Sequence, residues 1–144
     1  MSLFESMQVS SSALQAQSTR MNTVSSNLAN INSTSTPDGE GPYRKKMSIF
    51  RTQRPDFQSQ LDSRLGDFSR GVQVERIVES NDPPREVYDP SHPEANEEGY
   101  VQKPDINLVE EMTDMQGAVR SYEANVNSIK AAQRMSRNAL QILS

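Results

Sequence analysis

The residues from Ile106 to Leu143 carry the pattern that most restricts how this chain can fold. Leu108, Met112, Met115, Val119, Tyr122, Val126, Ile129, Gln133, Ser136, Leu140 and Leu143 alternate steps of four and three, and nine of these eleven positions are apolar. A mean repeat of about 3.5 residues lays one apolar stripe along a helix, and the stripe stays in line only if the helix supercoils left-handedly around a partner. Asn107 precedes the run as N-cap, with Glu110 three residues on to complete a capping box. Glu110, Glu111 and Asp114 crowd the first turns, and Lys130, Arg134 and Arg137 lie toward the end, so both termini suit the helix dipole. At about 1.5 Å per residue the helix spans roughly 55 Å. A small domain has no core that long, so the stripe calls for a second long helix, from this chain or from a neighbour.

The chain offers one. Leu3, Met7, Ser10, Leu14, Gln17, Met21, Val24, Leu28 and Ile31 repeat the four-three alternation, with seven of nine apolar. Between Met1 and Thr36 the only charged side chains are Glu5 and Arg20; Ser, Thr, Asn and Gln fill the rest. A solvated helix normally carries Lys and Glu on its outer face. Small uncharged polar groups suit a helix with protein on most sides, because they hydrogen-bond without the cost of burying a charge. A loosely ordered Ser-rich terminus is the other reading of this composition, and a segment that orders on binding reconciles the two. The two terminal helices are predicted to run antiparallel as a coiled-coil-like pair.

The character of the chain changes at Pro37. Residues 37–105 hold most of the charged residues, all eight prolines and five of the six glycines. Four short segments there have strand character: Tyr43 to Ile49, Val72 to Val78, Glu86 to Tyr88 and Tyr100 to Gln102. They are expected to form a small antiparallel sheet with one covered face. Phe57, Leu61, Leu65 and Phe68 have the spacing of a short helical turn, and Asp89 to Gly99 reads as an exposed loop. The fold class expected is α+β: a helix over 1–36, a β-rich middle over 37–105, and a helix over 106–144.

Several function classes have no support. There is no cysteine and a single His, in the polar context Ser91-His92-Pro93, so no thiolate or His-rich metal site is expected. Asp89, Glu94, Glu97 and Glu98 lack the alternation and the glycine of a calcium loop. No nucleotide-binding or nucleophile motif occurs. A net charge of −4 argues against nucleic acid as a partner, and no window is apolar enough to span a membrane. The first residues have neither a basic nor an apolar stretch of the secretory kind. Arg44-Lys45-Lys46 is too short for a nucleic-acid patch and is expected to meet an anionic neighbour in an assembly. Neither enzyme activity nor a cofactor is expected.

Particular motifs narrow the reading. Ser25-Ser26-Asn27-Leu28-Ala29-Asn30-Ile31-Asn32-Ser33 resembles the short N-terminal motif of the axial proteins of the bacterial flagellum. The preceding run from Ser12 to Asn22 is similarly rod-like. Two further stretches resemble the proximal-rod FlgC type of the flagellar basal-body rod protein family. One runs from Pro37 through Tyr43 to Lys46. The other runs from Gly99-Tyr100 through Asn107 to Met112, followed by Arg120 to Val126. The segment Gln53 to Gly71 matches no pattern of that family, and Ser33 to Gly41 lengthens the approach to Pro42-Tyr43. The resemblance implies a structural subunit, exported unfolded through the flagellar type III apparatus and assembled into the periplasmic rod. Its partners would be copies of itself, other rod proteins, the rod–membrane-ring adaptor and the export apparatus. The alternative from the helices alone is a cytoplasmic coiled-coil adaptor or export chaperone, which would carry charge on the outer faces of both helices.

Overall fold

Serine and threonine weaken a helix unless their hydroxyls are satisfied, because they compete with the backbone for its hydrogen bonds. In the first helix four of them are satisfied locally. The computed structural model describes residues 3–36, 41–53 and 71–142, and its first element is α1, Leu3–Ala29. Ser6, Ser12, Thr19 and Thr23 each donate to a carbonyl three or four residues back, at 2.7–3.1 Å. Thr23 can therefore be buried. Asn30 ends the helix, its Nδ2 donating at 2.9 Å to the Ser26 carbonyl, which also accepts the Asn30 N–H at 3.2 Å.

The last helix, α2, covers Leu108–Ile142, about 52 Å at roughly 1.5 Å per residue. Asn107 caps it: Oδ1 accepts the Val109 N–H at 3.0 Å. The helices lie antiparallel. Arg20 bridges to Asp114 near one end, while Leu3 and Phe4 meet Gln133 and Ser136 at the other. Ala118 and Ala132 are buried on α2 and Ala16 on α1. Among the described elements α2 touches only α1, so α1 supplies that burial. Small residues let the two backbones approach closely.

The other side of α1 carries a two-stranded antiparallel ribbon. Strand β1 is Lys46–Thr52 and β2 is Val72–Glu79. Lys46 pairs with Glu79 and Thr52 with Val72. Ile49 lies opposite Arg76 but Phe50 lies opposite Val74, so Glu75 bulges out of the ladder. At the near end of β2, Gly71 passes α1 so closely that a Cβ would fall 2.6 Å from Ser12 Oγ. That hydroxyl accepts the Val72 N–H at 3.1 Å and pins the ribbon to the helix.

A second ribbon pairs β3, Arg85–Tyr88, with β4, Tyr100–Lys103. All four strand segments thus form strands, but as two separate ribbons rather than one sheet. The physical cause lies between them. Pro83 and Pro84 have no N–H to donate to a ladder. Ser80 Oγ donates to the Asp82 carboxylate and accepts the Asp82 N–H, turning the chain away. Strand β1 also begins at Lys46 rather than Tyr43, because the residues before it are committed elsewhere. The helical spacing of Phe57 to Phe68, the residues Pro37 to Glu40 of one motif, and Leu143 lie outside the described residues.

Candidate functional site

Four hydrogen bonds converge on one amide. Asn27, 1% exposed, sits near the end of α1 where β1 and the start of α2 meet it. Its Oδ1 accepts the Lys46 N–H at 2.8 Å and the Tyr43 hydroxyl at 3.1 Å. Its Nδ2 donates to the Lys46 carbonyl at 2.8 Å and to Glu111 Oε2 at 2.9 Å. An asparagine amide offers two acceptor and two donor positions, and here all are filled. Lys46 contributes both backbone groups, so Asn27 mimics a strand neighbour at the head of β1.

Glu111 is 2% exposed. A carboxylate so buried needs compensation on both oxygens. Asn27 covers Oε2, and the Lys45 ammonium covers Oε1 at 2.9 Å. The hydrogen bond to Glu111 holds the Lys45 ammonium above its ordinary value of 10.5, against the opposing effect of burial. Ser26 Oγ lies 3.1 Å from the Tyr43 hydroxyl. One turn along, Arg20 meets Asp114 at 3.1 Å and lies over the Phe50 ring at 5.9 Å. That outer pair is half open to water and contributes less than about 1 kcal/mol. The whole cluster fastens the end of α1, the lead into β1 and the start of α2 at one point. No group in it is free to act as nucleophile or base, and among the described residues no three acidic or histidine side chains are grouped to hold a metal ion.

The motif residues separate into two sets. Asn27 and Tyr43 belong to the latch. Leu28 and Asn30 are half-buried and Ala29 is exposed; Asn30 Oδ1 also accepts from Ser33 Oγ at 3.1 Å. Gly99 is buried, with φ of +83°, and an added Cβ would strike the Tyr88 ring at 2.9 Å. Tyr100 packs edge-on to Tyr88 with ring centres 5.3 Å apart. Asn107 is the α2 cap.

The stripe residues separate too. On α1, Val24 is buried and Leu14, Met21, Leu28 and Ile31 are half-buried. On α2, Met115, Tyr122, Val126 and Ile129 are half-buried, whereas Leu108, Met112, Val119 and Leu140 are exposed. The face that α2 turns to α1 is displaced by one residue: Glu111, Ala118, Asn125 and Ala132 share it with Met115, Tyr122 and Ile129. Sequence reasoning missed that row, and with it Glu111, which was assigned only to the helix dipole. Its seven-residue spacing and small side chains were the available signal. Lys45 and Lys46 are also corrected. Lys45 meets Glu111, and Lys46 meets Glu79 at 3.9 Å, both within the chain rather than on a neighbour.

Comparison with known proteins decides the family. Residues 7–35 match the family described as flagella basal body rod protein, and residues 97–142 match the flagellar basal body rod FlgEFG protein C-terminal family. The flagellar basal-body rod protein FlgC of Bacillus subtilis is 44% identical over 99% of both chains. That of Borreliella burgdorferi is 42% identical over 99% of both, and that of Salmonella typhimurium 37% identical over 99% of this chain and 98% of its own. This chain belongs to the FlgC family. The two matched regions take in most of α1 and, with β4, all of α2, and Asn27 and Glu111 fall one in each. In this FlgC-family chain the latch joins the two parts by which the family is recognised.

Proposed function

We propose that this chain works in the flagellar rod as a load-bearing strut, with residues 1–36 and 106–144 as its axial part and residues 37–105 as an outer module. It is a structural protein of the basal-body rod and not an enzyme. The observation that carries the strut reading is what the helix pair leaves uncovered. Val109 is 70% exposed, Met112 48%, Leu140 66% and Phe4 82%. Val109, Met112 and Leu140 stand on α2 outside the face that α1 covers, and Phe4 stands on α1 at the end away from Val109, so these side chains run from one end of the pair to the other. Large apolar side chains set along a rigid edge serve association with further helices. In the rod those helices belong to copies of the chain and to other rod proteins. Contacts with the membrane-ring adaptor and passage through the type III apparatus complete the proposal. Among the described residues the buried apolar set is small (Ala16, Val24, Val101, Ile106, Ala118 and Ala132), which favours a chain that must be threaded unfolded.

The test is Met112→Asp. Position 112 is exposed, so the variant chain should keep its circular dichroism spectrum while failing to appear in isolated basal bodies. Normal swimming, with the variant present in those basal bodies, would overturn the strut reading.

A further inference from the structure

Of the three consecutive cations Arg44-Lys45-Lys46, the last two are engaged within the chain. Arg44 is exposed and has no ion pair among the described residues. It lines a cleft of about 660 Å³ together with Thr36, Pro42, Tyr43, Lys46 and Glu79. Two cations face one carboxylate there, and Glu79 reaches Lys46 only at 3.9 Å. The space far exceeds a single carboxylate and admits the tip of a loop.

Pro42 is also a wall of a second cleft, which runs under the loop between β3 and β4. That loop is fixed. The hydroxyls of Thr34 and Ser35 hold Glu94, keeping its carboxyl below the usual range. Asn96 Oδ1 accepts the N–H groups of Glu98 and Tyr100 at 3.1 and 2.8 Å, and Gly99 N–H returns to the Asn96 carbonyl at 2.9 Å. Glu97 and Glu98, at the tip, are exposed and without an ion pair among the described residues. Residues 33–36 and 41–43 therefore wall both the open cleft at Arg44 and the cleft under the loop that carries the acidic turn.

We propose that neighbouring copies of this chain meet side by side through this pair, the Glu97–Glu98 turn of one copy seated in the Arg44 cleft of the next. The proposal rests on the rod-subunit reading above. The occupant is another copy because the complement of each surface is on the same chain, and among the described residues the two are not paired with each other. Such a contact is heterologous: each copy uses one surface to bind forward and the other to bind back, so the series does not close on two members. Partly exposed charges fix register and exclude wrong neighbours more than they add adhesion. The apolar rows of the helices hold the array together, and this contact sets the spacing of neighbours around it.

The chain has no cysteine, so introduced cysteines report without background. Arg44→Cys combined with Glu98→Cys, in isolated basal bodies under mild oxidation, should give a ladder of linked copies that needs both substitutions. Basal bodies that contain the double variant but yield no ladder, or whose links run only to a different rod protein, would overturn the proposal. A charge exchange gives an independent reading. Arg44→Glu alone, and Glu97→Arg with Glu98→Arg, should each lose swimming, and all three together should recover it. Normal swimming of either partial set, or no recovery in the triple variant, would also overturn it. Absence of the unaltered chain from basal bodies would instead sink the rod reading itself.

Discussion

Replacing Asn27 by Asp changes one atom type in a filled hydrogen-bond shell and leaves the packing untouched. The new carboxylate still accepts from Lys46 N–H and Tyr43. It cannot donate to the Lys46 carbonyl, and it places an oxygen where Nδ2 now stands, 2.9 Å from Glu111 Oε2. Two buried carboxylates that close cannot both stay ionised, so the pair must share a proton. Carboxylates ordinarily titrate near about 4, and holding one protonated at about pH 7 costs roughly three units of about 1.4 kcal/mol each, or about 4 kcal/mol. The Lys45 ammonium on Glu111 Oε1 softens this, so about 3 kcal/mol is the expected loss, a large share of the roughly 5–15 kcal/mol by which a domain is stable. Near about pH 4.5 solvent supplies the proton almost freely, and the loss should fall to about 1 kcal/mol. Urea unfolding followed by circular dichroism, on both proteins at both pH values, measures it. A loss below about 1 kcal/mol near neutral pH, or one that does not shrink on acidification, would refute the latch as described.

The Lys45 side of the latch has the opposite pH signature. Its pKa is raised in the folded chain, so its contribution is complete below the unfolded value and is lost as pH climbs through the folded one. Lys45→Met should therefore cost about 2–4 kcal/mol at neutral pH, and the gap to the unaltered chain should narrow above 10.5, read by urea titrations across that range. Gly71→Ala should lose roughly 1–3 kcal/mol, because the added methyl meets Ser12 Oγ and Gln53 Oε1 below 3.0 Å; a thermal melt checks it. The free chain should show less helix by circular dichroism than α1 and α2 together contain, gaining it on co-assembly, and hydrogen exchange should place the deficit at the Phe4 end, away from the latch.

The helices were legible because each obeys a period, and the strands because their apolar alternation stops at proline and glycine. The side of α2 that meets α1 was not. A heptad read by hydropathy favours the larger side chains, so it picks the row of Met112, Val119, Val126 and Leu140 beside that of Leu108, Met115, Tyr122 and Ile129. The seam within the chain instead selects for close approach, which Ala118 and Ala132 permit, and for a partner to Asn27, which Glu111 supplies. Met115, Tyr122 and Ile129 lie on the boundary and serve either face. The latch was hidden for a different reason. Its bonded members are 16 to 84 residues apart in sequence, and the same residues read locally as a motif residue, a strand and a dipole charge. Only the antiparallel return of α2 brings them together.

A seam of small side chains has a weakness that the latch removes. A row of modest side chains at seven-residue spacing, Ala118, Asn125 and Ala132, packs almost equally well after a slip of one heptad, about 10 Å along the axis. Such a slip costs the apolar contacts little. It would carry Glu111 away from Asn27 and Lys45, leaving a buried carboxylate unpartnered and one N–H of the buried Asn27 amide unfilled, at several kcal/mol. The polar cluster therefore selects one register of α1 against α2, as a single buried polar residue does in a coiled coil. Register matters here beyond the single chain. The exposed Phe4 at one end and the Val109–Met112 row at the other can present a constant spacing to neighbours only if the helices between them cannot slide. Stiffness in an array of such pairs then comes from the Asn27–Glu111 contact in every copy, and a variant that loosened it would soften the rod before it dissolved it.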